Sequence, residues 1–447
     1  MSAQAVPASI EQRQLWYLDH YRGADGLLNC PIIVELRGDL DPSALDAALA
    51  RLVERHDTIR TIFSGRGRGL VQIVQPPGPV DVQTIDLRAE PDPAIAVRRA
   101  IAQEIRTRID PTRCALRTTL WRTDDRRYVL CLNLHHLVAD GWSCGLIVRD
   151  LRALYDRARG APAALPDVQW PYARYVQWQQ ELLERDELRH HREYWREQLD
   201  GMRLPPLPIR PSEGDAAPRV IATHAVDIDP AVCDALRQIA RARRTTMFTV
   251  MLSVYYVLLH GLTGERDLAT VSLFANRLRH ELQNTVGPFA NMVILRTLLT
   301  KRPTFGDVLR EAHATVAGAF LHQAVPFQML PGLVEMTSYR ADDVVFHMAA
   351  DRLPDGRMGA LELRAMQVEG VGNRFVLELA VLPRDTGLTA IVSYNETRVD
   401  REWAHALVTR YADLAARAAR TPDAGLDALH DRASASPDSS NARAAAS

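Results

Sequence analysis

The stretch "LNLHHLVADGWSCG", Leu132 to Gly145, closes an apolar strand pattern on two adjacent histidines, His135 and His136. Asp140 stands four residues after the second histidine, and Gly141 follows it. Three chemistries compete for these side chains: a metal site, a serine nucleophile and an acid/base histidine.

His136 and Asp140 would share a face on a helix, but a catalytic zinc takes three protein ligands, and no HExxH or other third-ligand pattern lies nearby. If strand geometry persists, His135 and His136 point apart. "GWSCG" (Gly141 to Gly145) has the GxSxG form of a nucleophile elbow, which requires its serine in a sharp turn directly between strand and helix. Here "LVADG" separates the histidines from Trp142, which puts Ser143 in the first turn of the following helix. A histidine at a strand end is delivered rigidly to a cleft and can take a proton near pH 7. The adjacent histidine would then support it and the aspartate would lock the loop. A buried histidine pair satisfied by backbone carbonyls is the plain alternative.

At 447 residues the chain exceeds what one hydrophobic core usually serves, so two lobes are expected. Hydrophobic residues at 47% and charged residues at 24% are ordinary globular values. A net charge of −1 leaves no footprint for nucleic acid or an anionic membrane. Lys301 is the only lysine among 54 basic residues, so an arginine here says less than usual. The opening "MSAQAVPASIEQRQLW" lacks the basic and apolar regions of a signal peptide, and a cytoplasmic location is expected. "FTVMLSVYYVLLHGL" (Phe248 to Leu262) is too short to span a bilayer and reads as a core helix. Cys30, Cys114, Cys131, Cys144 and Cys233 show no CxxC spacing and read as reduced, buried thiols, with no metal expected.

Helical and strand periods alternate through both halves. Ser9 has the type of an N-cap for a helix through "SIEQRQLWYLDHY", and "DPSALDAALARLVERHDTIRTIF" reads as a helix running into a strand. "ALRTTLWRT" and "RRYVLCLNLHH" pair across the polar turn at Asp124 and Asp125, and "WSCGLIVRDLRALYDRA" resumes helical spacing. Arg203 to Pro218, rich in proline, is the expected inter-lobe linker. Beyond it, strands such as "VIATHAVDI" and "RFVLELAVL" alternate with helices such as "TFGDVLREAHATVAGAFLHQ", capped by Thr304. The lobes are placed at 1–180 and 181–430, with a disordered tail at 431–447. Two α/β sandwiches with a cleft between them are expected.

"HHLVADG" is HHxxxDG, and with it the chain resembles the condensation domains of nonribosomal peptide synthetases. "SIEQRQLWYL" (Ser9 to Leu18) resembles the family's SxxQxRLW motif, with Gln14 disturbing the order around the arginine. "RHDTIRTIF" (Arg55 to Phe63) looks like RHExLRTxF, and "YARYVQWQ" (Tyr172 to Gln179) like YxDYAxWQ. "VGPFANMVILR" (Val286 to Arg296) and "HQAVPFQML" (His322 to Leu330) are similar to IGxFVNTxxLR and HQDVPFExLV. All stand in the family's order. "SYRADDVVFHM", from Ser338, echoes the seventh motif only loosely.

The resemblance implies two chloramphenicol-acetyltransferase-like lobes in a V-shaped pseudo-dimer, with the active site at the lobe junction midway along a tunnel. It implies a carrier protein that presents an acyl thioester on its phosphopantetheine, and a small-molecule or carrier-bound acceptor that attacks it to give an amide or ester. The enzyme itself would bind no cofactor and no metal. His136 would orient or deprotonate the nucleophile, while His135 and Gly141 shape the loop and the Gly141 N–H helps hold the thioester oxygen. Asp140 would pair with Arg277, or failing that with Arg279. Asn291 would lie near the tunnel, and Trp16, Arg60, Trp178, Phe289 and Pro326 would pack. Trp142 and Ser143 would line the loop's exit, or form a helix N-terminus with an apolar anchor, which is the favoured reading. No adenylation or carrier segment is expected to flank the unit, and a free-standing monomer meeting its carrier in trans is expected, in peptide or polyketide antibiotic assembly. A coenzyme-A-dependent acyltransferase and a non-catalytic carrier-recruiting module are the alternatives.

Overall fold

The apolar run that ends in the histidines is the strand Arg127–His135, antiparallel to Asn29–Arg37 on one side and Leu116–Asp124 on the other. Successive side chains point to opposite faces of a strand. Ile32, Val34, Leu130, Leu132 and Leu134 therefore enter a core beneath the helices Pro42–Arg55 and Gly141–Ala158. Ile33, Val129 and Cys131 enter a second core beneath the helix Pro93–Arg106. A strand covered on both faces has no solvent side to mark with polar residues, which is why "YVLCLNL" does not alternate. This computed structural model describes residues 4–22, 26–211, 220–330, 340–349, 353, 355–366 and 374–430.

That sheet has six strands, and its far edge comes from late in the chain. Leu361–Ala365 pairs antiparallel with Asn29–Arg37, and Gly356–Met358 pairs with Leu361–Ala365. Residues placed by sequence within the 181–430 lobe thus complete the sheet of the first. Met358, Leu361 and Leu363 are buried in the first core, which fixes the exchange energetically.

The second sheet also has six strands, in the order 291–298, 267–274, 344–348, 377–383, 388–395, 221–228. The helices Pro230–Ala242, Met247–Thr263, Phe305–His322 and Arg401–Arg420 supply the core packed with it. Met247–Thr263 is buried from Thr249 to Leu259 and ends on Gly264 at φ 72°, a left-handed cap that glycine adopts without strain. Being enclosed on all sides, it is apolar all round. Among the described residues no single helix is long and apolar enough to cross a membrane.

Ser9 caps the helix Ile10–Arg22 as a capping box: its Oγ accepts from the Gln12 N–H at 3.1 Å, and Gln12 Oε1 accepts from the Ser9 N–H at 3.0 Å. Thr304 and Asp307 form a second box on Phe305–His322. Among the described residues three α-helices have no counterpart in the sequence reading: Tyr172–Glu184, Arg189–Leu199 and the four-residue Leu426–Leu429. The expected linker is partly built in, because Leu207 and Ile209 are buried in the second core. Residues 212–218 of that linker, the tail 431–447, and Ser338 and Tyr339 of the loose seventh motif lie outside the described residues. Cys30, Cys131, Cys144 and Cys233 are buried, but Cys114 is exposed, because it lies in the loop before the strand Leu116–Asp124.

Candidate active site

After His135 the chain turns and starts a new helix, and Asp140 is its N-cap. His135 is buried, and its Nδ1 accepts from the Leu137 N–H at 3.1 Å. That bond assigns the ring proton to Nε2, which lies 3.5 Å from Asp19 Oδ1 on the first helix. His135 therefore braces the turn from inside. His136 faces the other way: its Nδ1 lies 3.1 Å from the Ala139 carbonyl oxygen. A carbonyl only accepts, so Nδ1 carries the proton and Nε2 keeps its lone pair.

Asp140 is a hub. Its Oδ1 accepts from the Ser143 N–H at 2.8 Å and the Ser143 hydroxyl at 2.7 Å. Arg277 Nη2 lies 3.3 Å from the same oxygen, and Oδ2 accepts from the N–H groups of Phe289 and Ala290 at 3.0 and 3.1 Å. Arg277 also donates through Nη1 to the carbonyls of Leu282 and Thr285, each at 2.6 Å, and lies 4.1 Å above the Phe289 ring. One carboxylate thus fastens the histidine loop to the segment leading into the second sheet. Arg279 turns elsewhere, to Glu281 at 2.9 Å and over Trp170.

The same seam holds Gly287, where an added Cβ would lie 2.2 Å from Tyr172 Cδ2. Tyr172 cannot yield easily, since its hydroxyl is 2.9 Å from Ser9 Oγ and reaches the Pro288 carbonyl at 3.3 Å. Gly287→Ala should therefore destabilise the protein by about 1–3 kcal/mol, the usual range for overpacking. Denaturant unfolding of the variant tests this, and unchanged stability would mean that the seam is looser than described.

Beside the loop is a chamber of about 310 Å³, in the range of small-molecule sites. The first half contributes Glu11, Gln14, Asn29, His136, Asp140 and Gly141; the second contributes Asn291, Gln328, His347, Arg374 and Glu378. Gln328 Nε2 donates to Gln14 Oε1 across the junction. His347 Nδ1 and Glu378 Oε1, on adjacent parallel strands, are 3.2 Å apart. Burial first, and the positive charge of Arg374 second, push the His136 ring down to about 4. It is neutral at pH 7. The Gly141 N–H, at the first position of its helix, has no intrahelical acceptor, and a Cβ there would meet nothing within 4 Å. A larger groove of about 1090 Å³ around Arg37 and Arg364 shares no lining residue with this chamber. Its arginines are largely committed, Arg37 to Glu35 and Arg364 to Glu362.

The structure separates the sequence candidates. His136, Asp140, Gly141 and Asn291 line the chamber, with His135 and Arg277 behind it. Asn291 spends its amide on the 323–327 turn, donating to the carbonyls of Gln323 and Val325 and accepting from the Phe327 N–H. Ser143 and Trp142 do not line the chamber. The Ser143 hydroxyl is fully buried among Asp140, Arg277 and both backbone groups of Gly287, so it has neither a histidine partner nor access. Trp142 is 44% exposed and donates to the Gln283 carbonyl outside. Nor do His136 and Asp140 converge on a common point: Nδ1 of the one is bonded to Ala139, and the other's carboxylate turns to Ser143, Arg277 and the 289–290 backbone. Sequence reading missed Glu11, His347, Arg374 and Glu378. Glu11 occupies an unspecified position of the SxxQxRLW motif, His347 and Glu378 come from strands whose neighbours are set only by the fold, and Arg374 precedes the second of those strands.

Residues 2–435 match the condensation-domain family. Chondramide synthase of Chondromyces crocatus is 36% identical over 336 residues, which are 73% of this chain and 8% of that protein. The chain thus spans a small part of that relative. The SgcC5 protein of Streptomyces globisporus superposes with a TM-score of 0.79 at 26% identity, covering 94% of this chain and 100% of that one. The X-domain from teicoplanin biosynthesis gives 0.82 at 23% identity over 96% and 98% of the two chains, a likeness of fold. With HHxxxDG set at the junction of two chloramphenicol-acetyltransferase-like lobes, the chain belongs to the condensation-domain family of nonribosomal peptide synthetases.

Proposed function

We propose that the chain joins an acyl thioester, presented on the phosphopantetheine of a carrier protein, to an amine or hydroxyl acceptor. The observation that carries this reading is His136, a neutral imidazole with Nδ1 pinned and Nε2 unprotonated, lining a chamber built by both lobes. Nε2 accepts a hydrogen bond from the nucleophile and directs its lone pair at the thioester carbon. Gly141 lines the same space, and its N–H, free of an intrahelical acceptor, can take the carbonyl oxygen as it gains charge. A ring held near 4 is a weak base but an always-available acceptor, which suits orienting a neutral amine or hydroxyl. The proton ends on the departing pantetheine thiol, so the products are an amide or ester and the free holo-carrier. The SgcC5 structure holds an aryl 1,2-ethanediol, which supports including hydroxyl acceptors. No cofactor belongs to the enzyme in this scheme.

The test is a comparison of acyl-carrier with the matching acyl-coenzyme A as donors, across a panel of acyl groups and amine or hydroxyl acceptors. Product from the carrier at far lower concentration supports the proposal; equal use of free coenzyme A would make the enzyme a coenzyme-A-dependent acyltransferase.

A pH prediction follows from the His136 environment. With protonation near pH 4 instead of near 6.5, kcat/KM should stay level from pH 8 to 6. Arg374→Gln removes a charge that lowers the ring's pKa, so the acid limb should move to higher pH. A wild-type limb near 6.5, or one unmoved by Arg374→Gln, would contradict this electrostatic picture.

A further inference from the structure

Two side chains of the chamber depart from the rule that parallel strands covered on both faces run apolar. His347 interrupts "VVFHM" (Val344–Met348), and Glu378 interrupts "LELAVLP" (Leu377–Pro383). Val345 is level with Val271 on one side and with Glu378 on the other. Side chains two apart on a strand share a face, so Leu273, His347 and Glu378 stand together on one face of the second sheet. All three line the chamber, whereas Phe346, Leu377 and Leu379 enter the second core from the opposite face. His347 and Glu378 keep 23% and 16% of their side-chain surface accessible. The 3.2 Å contact between His347 Nδ1 and Glu378 Oε1 is out of line for a hydrogen bond, and neither side chain has another polar partner among the described residues.

Three carboxyl groups line the chamber, and two are taken. Asp140 is spent on Ser143, Arg277 and the 289–290 backbone, while Glu11 gives Oε1 to Gln179 and has Oε2 buried. Glu378 remains open, beside the apolar cross-strand pair Leu273 and Met292. An unpaired polar group on such a wall costs free energy until a ligand supplies its partner. We propose that Glu378 is a specificity-determining residue whose carboxylate accepts a hydrogen bond from a hydroxyl or ammonium group that the acceptor carries in addition to its nucleophile. This rests on the condensation reading above and names the acceptor class for it. The nucleophile is held at His136 on the first half's wall, and in a chamber of about 310 Å³ the rest of a small acceptor meets the second half's wall. Arg374 also lines the chamber, so the selection is for a hydrogen-bond donor more than for net positive charge.

The probes are primary amine acceptors, identical but for a hydroxyl, ammonium or methyl group remote from the nucleophile. With one acyl-carrier as donor, wild type should favour the hydroxyl and ammonium acceptors over the methyl one by about 10–100-fold in kcat/KM, the scale of a hydrogen bond to a charged group. Glu378→Leu should erase that preference, and Glu378→Gln, isosteric and still an acceptor, should keep only part of it. The ratio is read within one enzyme sample, so partial loss of folded protein does not move it. Calorimetric binding of the three amines without any donor should give the same ranking, independently of turnover. No preference in wild type, one that survives in Glu378→Leu, or one that follows the acyl group instead of the acceptor would overturn the assignment. A pair that only braced the sheet would shift melting temperature and leave the ratio alone, which would overturn it too. If Glu378→Leu is insoluble, Glu378→Gln carries the test, and an undiminished preference there is the contrary result. Absence of wild-type turnover with every amine, while the binding preference holds, would count against the condensation reading separately.

Discussion

His136→Ala is expected to lower turnover by about 10²–10⁴-fold, the usual worth of a positioned acid/base group. Folding and binding of the acylated carrier should hardly change. The reason is local: among the described residues the His136 side chain makes one hydrogen bond, to the Ala139 carbonyl, and it lines the chamber. His135→Ala should do the reverse, since that ring is buried and its Nδ1 satisfies the Leu137 N–H. Loss of soluble yield is its expected signature. Single-turnover rates beside melting temperatures for both variants check the pair. A His136→Ala enzyme with near wild-type rate would remove the histidine from the chemistry.

Asp140→Ala is expected to cost about 3–5 kcal/mol in denaturant unfolding, the range for breaking a buried ion pair. The substitution strands Arg277 and leaves the N–H groups of Ser143, Phe289 and Ala290 without their acceptor. These contacts join the two halves of the molecule, so the loop and the seam should loosen together. A normally stable variant that had lost only turnover would mean that Asp140 contacts the substrate directly.

Much of this was legible because it is local. The run ending at His135 carries its own strand signal, Asp140 stands where a helix N-cap must stand, and Ser143 falls in the first turn beyond it. Six spaced motifs named the family and, through it, the partnership of Asp140 with an arginine near 277. The hairpin at residues 356–365 was not legible. Its strands are three and five residues long, and their partner lies more than 300 residues earlier, a choice that no local pattern records. The chamber's far wall was hidden for the same reason, since His347 and Glu378 meet only through the parallel pairing of their strands. Glu11 was visible but indistinct: an acidic residue in a helix's first turn is usually solvated and favoured by the helix dipole, and only the packing of Tyr175 and Gln179 against it reveals the burial. For Trp142 and Ser143 the helix N-terminus holds and the loop's exit does not, because adjacency to the histidines along the chain is not adjacency in space; the helix that starts at Gly141 turns both away from the chamber.

The most direct test is intact-protein mass spectrometry during turnover with an acyl-loaded carrier and an amine or hydroxyl acceptor. The expected result is an amide or ester product, stoichiometric release of holo-carrier, and an enzyme whose mass never changes, in wild type and Ser143→Ala alike. An acyl adduct on the enzyme at Ser143, with activity abolished by Ser143→Ala, would contradict direct transfer at His136.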